Sequence, residues 1–180
     1  FGGKSGDQYL DSVYEYQPDQ DRWVAQTPLE AKVAYAGAAV VGNRIFIIGG
    51  YDGKQSLSTT LAYHPARDTN NENPWEKFAA LPAGRYAFAV CTLSNVIYLA
   101  GGIDNNGTAA TPQTLQYLPQ SDQWTIYDNP AKALGAHGVM LPLEGFLHFL
   151  GGANGQQLLT LHQSYQALFF NAIPLIQKDH

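Results

Sequence analysis

The chain has 180 residues, 45% hydrophobic and 12% aromatic but only 14% charged, which supplies a sizeable core and excludes a disordered or collagen-like chain. Its formal charge is -5 and its ten Lys and Arg residues are scattered, which argues against a broad nucleic-acid footprint. Cys91 is the sole cysteine, so neither an internal disulfide nor a cysteine-based zinc site is available.

Along the chain, apolar residues run into a double glycine four times. The copies are Phe1-Gly2-Gly3, Ile45 to Gly50, Ile97 to Gly102 and Phe146 to Gly152, with first glycines 47, 52 and 50 residues apart. A small-polar turn with a further glycine (Gly6, Gly53, Gly107, Gly155) follows each pair, as tight strand connections require. A strand then ends in Tyr16, Tyr63, Tyr117 or Tyr165, which lie 13, 13, 15 and 13 residues past the second glycine. In three copies a Pro-containing turn (Pro18, Pro65, Pro119) leads to Trp23, Trp75 or Trp124. A period near 50 without a 3.6-residue pattern points to propeller blades rather than helical pairs.

In this order of features the chain resembles the kelch repeat. The resemblance implies an all-β propeller segment of about three and a half blades, each a four-stranded antiparallel sheet with strands a to d, the innermost lining a central channel. The expected division is a partial blade at 1–28, blades at 29–82 and 83–130, and a last blade at 131–180 with an atypical end. In the partial blade, strand c is expected over about Gln8 to Tyr16 and strand d over Trp23 to Gln26. Strand b is expected to be buried on both faces, which accounts for its unbroken apolar run. A bulkier residue at the glycines would block the turn and the approach of the adjoining sheet. The last unit lacks the Pro turn and the Trp after Tyr165, so its fourth strand is expected to be altered. Kelch rings generally have six or seven blades. The segment therefore reads as the C-terminal part of a larger propeller, its missing blades supplied by a longer chain or another subunit.

The apolar stretch Ala167 to Ile176 is about half a membrane span and is interrupted by Asn171 and Pro174, so no membrane insertion is expected. Phe1-Gly2-Gly3 has no leader pattern. Polarity carried by Gln, Asn, Thr, Ser and Tyr rather than Lys and Glu leans towards an extracytoplasmic home, with the cytoplasm as the alternative.

No convergent catalytic set stands out, and no cofactor or metal is expected. The five histidines (His64, His137, His148, His162, His180) lack metal-binding spacing, and His148 occupies the position of Phe46 and Tyr98 in the sister blades. Cys91, in register with Ala39 and Leu141, reads as a small buried hydrophobe, which disfavours a kelch-type copper-radical oxidase. The loop Ile103 to Thr108 reads as a turn rather than a calcium loop, and Asn106-Gly107-Thr108 is a glycosylation sequon. The enlarged connection Asp68 to Asn73 reads as a solvated loop.

These residues support a non-catalytic binding module that presents loops to a protein or glycan. The recognition surface is expected on the face formed by the b to c and d to a connections. It centres on Arg85 and Tyr86 and is rimmed by Tyr51, Asp52, Asp104, Asn105 and Asn154. There the scaffold repeats while the loop residues change, and exposed Tyr and Arg serve well as anchors. Replacing Arg85 or Tyr51 by Ala is expected to weaken binding and spare the fold. Two rival readings are an enzyme acting on a small acidic sugar, similar to the sialic-acid mutarotases with Arg85 holding the carboxylate, and a structural subunit of a cell-surface assembly.

Overall fold

Each repeat folds into its own antiparallel sheet in a computed structural model that describes residues 1–70, 72–105, 107, 113–127 and 135–167. The first, partial blade contains β1 (Gly3–Ser5), β2 (Gln8–Leu10), β3 (Val13–Gln17) and β4 (Arg22–Gln26). The second contains β5 (Gly37–Val41), β6 (Arg44–Ile48), β7 (Thr60–Tyr63), the short helix α1 (Pro65–Thr69) and β8 (Trp75–Phe78). The third contains β9 (Ala89–Leu93), β10 (Val96–Ala100), β11 (Thr114–Leu118) and β12 (Gln123–Tyr127). The last contains β13 (Val139–Leu143), β14 (Phe146–Leu150), β15 (Ala153–Asn154), β16 (Gln157–Leu158) and β17 (His162–Gln166).

Sheets β5-β6-β7-β8 and β9-β10-β11-β12 are four-stranded meanders, as a kelch-type blade requires. The outer pair β3-β4 stands alone in the first blade, and β13-β14-β17 gives three strands in the last. The altered fourth strand expected after Tyr165 falls in 168–180, outside the described residues. Strand c of the first blade is shorter than the expected Gln8 to Tyr16. Gln8–Leu10 pairs back onto Gly3–Ser5, because the b to c connection forms a hairpin of its own before the chain enters β3. The enlarged c to d connection contains α1, and among the described residues no helix is long and apolar enough to cross a membrane.

The core lies in the seams between blades. Val13, Leu29 and Val33 pack with Ile47, Tyr63 and Trp75 in the first seam. Phe46, Ile48 and Ala62 meet Phe88, Ile97, Leu99 and Tyr117 in the second. Cys91, Tyr98 and Ala100 meet Met140, Leu147 and Phe149 in the third. A central blade is therefore apolar on both faces, which is why β6 and β10 read as continuous apolar runs.

The double glycine fixes how closely consecutive blades approach. The second glycine's N–H donates to a carbonyl of the next blade at one repeating position: Gly3 to Val33 (2.8 Å), Gly50 to Arg85 (2.9 Å) and Gly102 to Gly135 (3.3 Å). A Cβ on Gly49 would lie 2.4 Å from the Arg85 carbonyl oxygen, and its φ of 56° is left-handed besides. Only glycine meets both conditions at low cost.

The outer edge of each seam explains the spaced Tyr and Trp. Tyr16, Tyr63 and Tyr117 each donate their hydroxyl to an aspartate five residues on, Asp21, Asp68 and Asp122, at 2.7, 2.6 and 2.7 Å. Asp68 also accepts from the N–H and hydroxyl of Thr27, and Asp122 from the N–H of Ala79, both on the preceding blade. Trp75 and Trp124 donate their indole N–H to the carbonyls of those same residues, at 3.3 and 3.0 Å. Asp68 is thus an inter-blade staple and not part of a merely solvated loop. Position 170, which would hold its counterpart in the last unit, is Phe.

Asp122→Ala leaves the Tyr117 hydroxyl and the Ala79 N–H without their acceptor and is expected to cost about 2 kcal/mol in urea unfolding. For Asp68, burial works to raise the carboxyl pKa, but the bonds from Thr27 and Tyr63 outweigh it and hold the pKa below its ordinary value. A carboxylate depressed on folding contributes stability that is present above its unfolded pKa and lost as pH falls through the folded one. Wild type should therefore lose stability more steeply than Asp68→Asn below about pH 4. Urea midpoints measured from pH 7 down to pH 3 check this.

Candidate functional site

Each inner strand begins at the channel mouth with one residue of left-handed backbone. These are Tyr35 (φ 57°), Ala87 (φ 54°) and His137 (φ 59°), each fourteen residues before the first glycine of its unit. For a residue with a side chain this conformation costs about 1–2 kcal/mol, so the surroundings must hold it in place. Here the cross-blade backbone does so. The Ala87 N–H donates to the Tyr35 carbonyl (3.0 Å) and the His137 N–H to the Ala87 carbonyl (2.7 Å), which links three blades around the rim.

On this frame lies a strip of aromatic rings. Tyr9 meets Tyr51 with centroids 5.8 Å apart, Tyr51 meets Tyr86 at 5.0 Å, Tyr86 meets Tyr35 at 6.2 Å, and Tyr35 meets His137 at 6.3 Å. These separations suit edge-to-face and tilted pairs. Tyr35 is 48% exposed, and Tyr9, Tyr51 and Tyr86 are half-buried. Burial raises the Tyr86 hydroxyl pKa, and the neighbouring Tyr51, Tyr9, Tyr35 and Asp104 act in the same direction. The hydroxyl is therefore a proton-bearing donor at neutral pH.

The expected site residues divide around this strip. Tyr51 and Tyr86 are its centre, and Asp104 sits within electrostatic range of both Tyr86 and Arg85. Arg85 lies beneath the mouth, 3% exposed, and donates to the carbonyls of Gly101 (3.3 Å) and Gln113 (3.0 Å). Burial lowers its pKa, and Asp104 works against that. So placed, it ties strands of its own blade and does not present its guanidinium to a ligand carboxylate. Asp52 accepts from the backbone N–H groups of Lys54 and Gln55, which closes its own turn and lowers its pKa. Asn105 accepts from the N–H and hydroxyl of Ser56 on the preceding blade, another seam bond. Asn154 is exposed on the β15-β16 hairpin, and no hydrogen bond joins it to the tyrosines.

Tyr9, Tyr35 and His137 are the rim residues that the reading of motifs missed. Their signal was the fixed offset from the double glycine, visible for Tyr35 and His137, and the hairpin that folds Tyr9 back over the mouth, which was not. Cys91 is buried in the third seam, its thiol pushed up to about 12 by desolvation, consistent with an inert core residue. The sequon residues Asn106 and Thr108 lie outside the described residues.

The kelch motif matches residues 32–70, which contain β5 to β7 of the second blade, and 84–130, which contain the third. The chain belongs to the kelch-repeat family. It is 30% identical to beta-scruin of Limulus polyphemus over 144 residues, covering 78% of this chain and 16% of the relative. Alpha-scruin of the same organism is 29% identical over 136 residues, 74% of this chain and 15% of the relative. Kelch-like protein 36 of Bos taurus is 28% identical over 153 residues, 82% of this chain and 23% of the relative. The matched kelch segment thus spans about a sixth to a quarter of the length of these relatives.

The burial of Arg85 reverses the expectation that its removal spares the fold. Arg85→Met takes donors away from two carbonyls beneath the rim and should destabilise the chain by about 2–3 kcal/mol. Tyr35→Ala should change stability by about 1 kcal/mol or less. Thermal and urea unfolding of the two variants side by side check the contrast.

Proposed function

We propose that the chain is a non-catalytic binding module whose channel-mouth face engages a protein or glycan partner through the tyrosine strip. The observation that carries this reading is the run Tyr9, Tyr51, Tyr86, Tyr35 and His137. These are large flat side chains, partly open to solvent, two of them (Tyr35 and His137) on left-handed backbone tied across blades, at a face where the loop residues differ between repeats. Tyrosine buries much area at small entropic cost and keeps a directional hydroxyl, the combination typical of interface anchors. A rigid support adds to affinity because little order remains to be imposed on binding. With Arg85 buried, the residue on which the acidic-sugar reading rested does not present its guanidinium at the mouth.

The same reading includes a larger ring. Tyr14 and Trp23 on the first blade, and Val139, Leu141 and Leu143 on the last, are exposed apolar residues on faces that a central blade would bury. Further blades, from a longer chain or another subunit, are the natural cover.

The test is selection of ligands on the immobilised chain from a random peptide display library, with a glycan array in parallel. Selected ligands should lose about 1 kcal/mol or more of affinity to Tyr51→Ala and to Tyr35→Ala. Asn43→Lys on the opposite face should leave them unchanged. Ligands indifferent to both tyrosine variants but lost with Asn43→Lys would move the interface to the other end of the propeller.

A further inference from the structure

The second and third blades agree with each other at two neighbouring positions, and the last blade departs at both. On strand b the position of Phe46 and Tyr98 is His148, and on strand c the position of Thr60 and Thr114 is His162. In the second and third blades these residues lie in the seam with the following blade: Phe46 is 0% and Tyr98 is 4% exposed, and Thr60 accepts from the indole of Trp124. In the last blade the register pairs His148 with Ser164 and His162 with Leu150, so the two histidines are diagonal neighbours on one face of β14 and β17. A single histidine in place of an aromatic residue is an ordinary substitution. Two that arise together and touch need a joint explanation.

Their geometry supplies one. Nδ1 of His148 and Nε2 of His162 are 3.0 Å apart, with ring planes inclined by only 25° and centroids separated by 5.3 Å. That is an edge-to-edge approach of two nitrogens. Their lone pairs cannot face each other unscreened, so either one proton or one cation must lie between them. With metal–nitrogen bonds of about 2.0–2.1 Å, two imidazole ligands of one ion stand about 2.9 Å apart at a right angle and about 3.3 Å apart at the tetrahedral angle. The observed spacing falls inside this interval, and because the two lone pairs point at each other along the N–N line, both rings turn by about 40° to aim at one ion beside that line. Imidazole suits the late first-row divalent ions. The other described histidines are engaged elsewhere: His64 contacts Glu76 at 2.8 Å, and His137 belongs to the rim.

We propose that His148 and His162 form a two-histidine clip for a late first-row divalent cation such as Zn2+ or Cu2+. Both rings bind neutral, His148 through Nδ1 and His162 through Nε2, and the hydrogen shared between them in the metal-free neutral pair moves to the other nitrogen of its own ring, so that no net proton is released. Among the described residues no three His, Cys, Asp or Glu side chains converge, so water completes the coordination shell and the affinity is modest. The spacing of fourteen residues hides the site from motif reading, because strand pairing rather than chain proximity brings the two rings together.

Zn2+ alone, titrated into the 180-residue chain by calorimetry, should bind with one-to-one stoichiometry. His148→Phe and His162→Thr, which install residues the sister blades already hold, should each weaken that binding at least tenfold while leaving the circular dichroism spectrum unchanged. Two readouts need no variant. Cu2+ in wild type should show two imidazole nitrogens by pulsed electron paramagnetic resonance, and Zn2+ should move the ring-nitrogen resonances of His148 and His162 together. Wild-type affinity in either folded variant, or Zn2+ shifts at other histidines with these two unmoved, would overturn the proposal.

Discussion

The seam between consecutive blades is the constraint on which the rest of the structure depends, and its tightest point is the glycine that faces a carbonyl of the next blade. A single four-stranded meander is apolar on both faces and buries neither by itself. Its neighbours must approach closely enough to exclude water, which forces backbone against backbone at Gly49 and Arg85. From that contact outward the seam is filled by aliphatic and aromatic side chains, and the first two seams are closed at the periphery by the Tyr, Asp and Trp staples. Each conserved-looking element of the repeat belongs to a different depth of one interface.

This division of labour leaves the channel-mouth loops free to differ. The seam bonds use backbone groups and a few recurring side chains, so residues such as Tyr51, Ile103 and Ala153, which follow the double glycine, change from blade to blade without loss of stacking. Several polar residues that look like surface decoration are drawn into the frame all the same. Asp52 closes a turn, Asn105 reaches across a seam, and Arg85 supports the rim from below. The aromatic strip then remains as the feature with no structural obligation large enough to explain its extent. The left-handed residues at the inner strand starts are consistent with this, since strained backbone persists where the surroundings over-determine it.

The order, type and pairing of the strands were legible in the sequence because they follow from local patterns repeated at one period. Continuous apolar runs mark strands buried twice, double glycines mark close approach, and Tyr and Trp at fixed offsets mark the outer seam. Side-chain assignments at the mouth were less legible. Arg85 and Tyr86 are adjacent in the chain, yet one is buried and the other half-open, because neighbouring residues at a strand start point in different directions. The anchoring role of Asp68 was hidden in a loop whose extra length drew more notice than its fifth residue after Tyr63.

By itself, then, the sequence determined the repeat, the all-β blade and the positions where only glycine or a large aromatic fits, since these depend on period and on local backbone geometry. Tertiary structure alone decided which polar groups are turned into the protein and which stay open at the channel mouth. That choice rests on distances between residues tens of positions apart: Ser56 and Asn105 across one seam, Tyr9 against Tyr51 over the mouth, His148 against His162 across two paired strands. Such contacts depend on the side chains that register and blade stacking bring face to face, and the repeat pattern alone does not set those pairs.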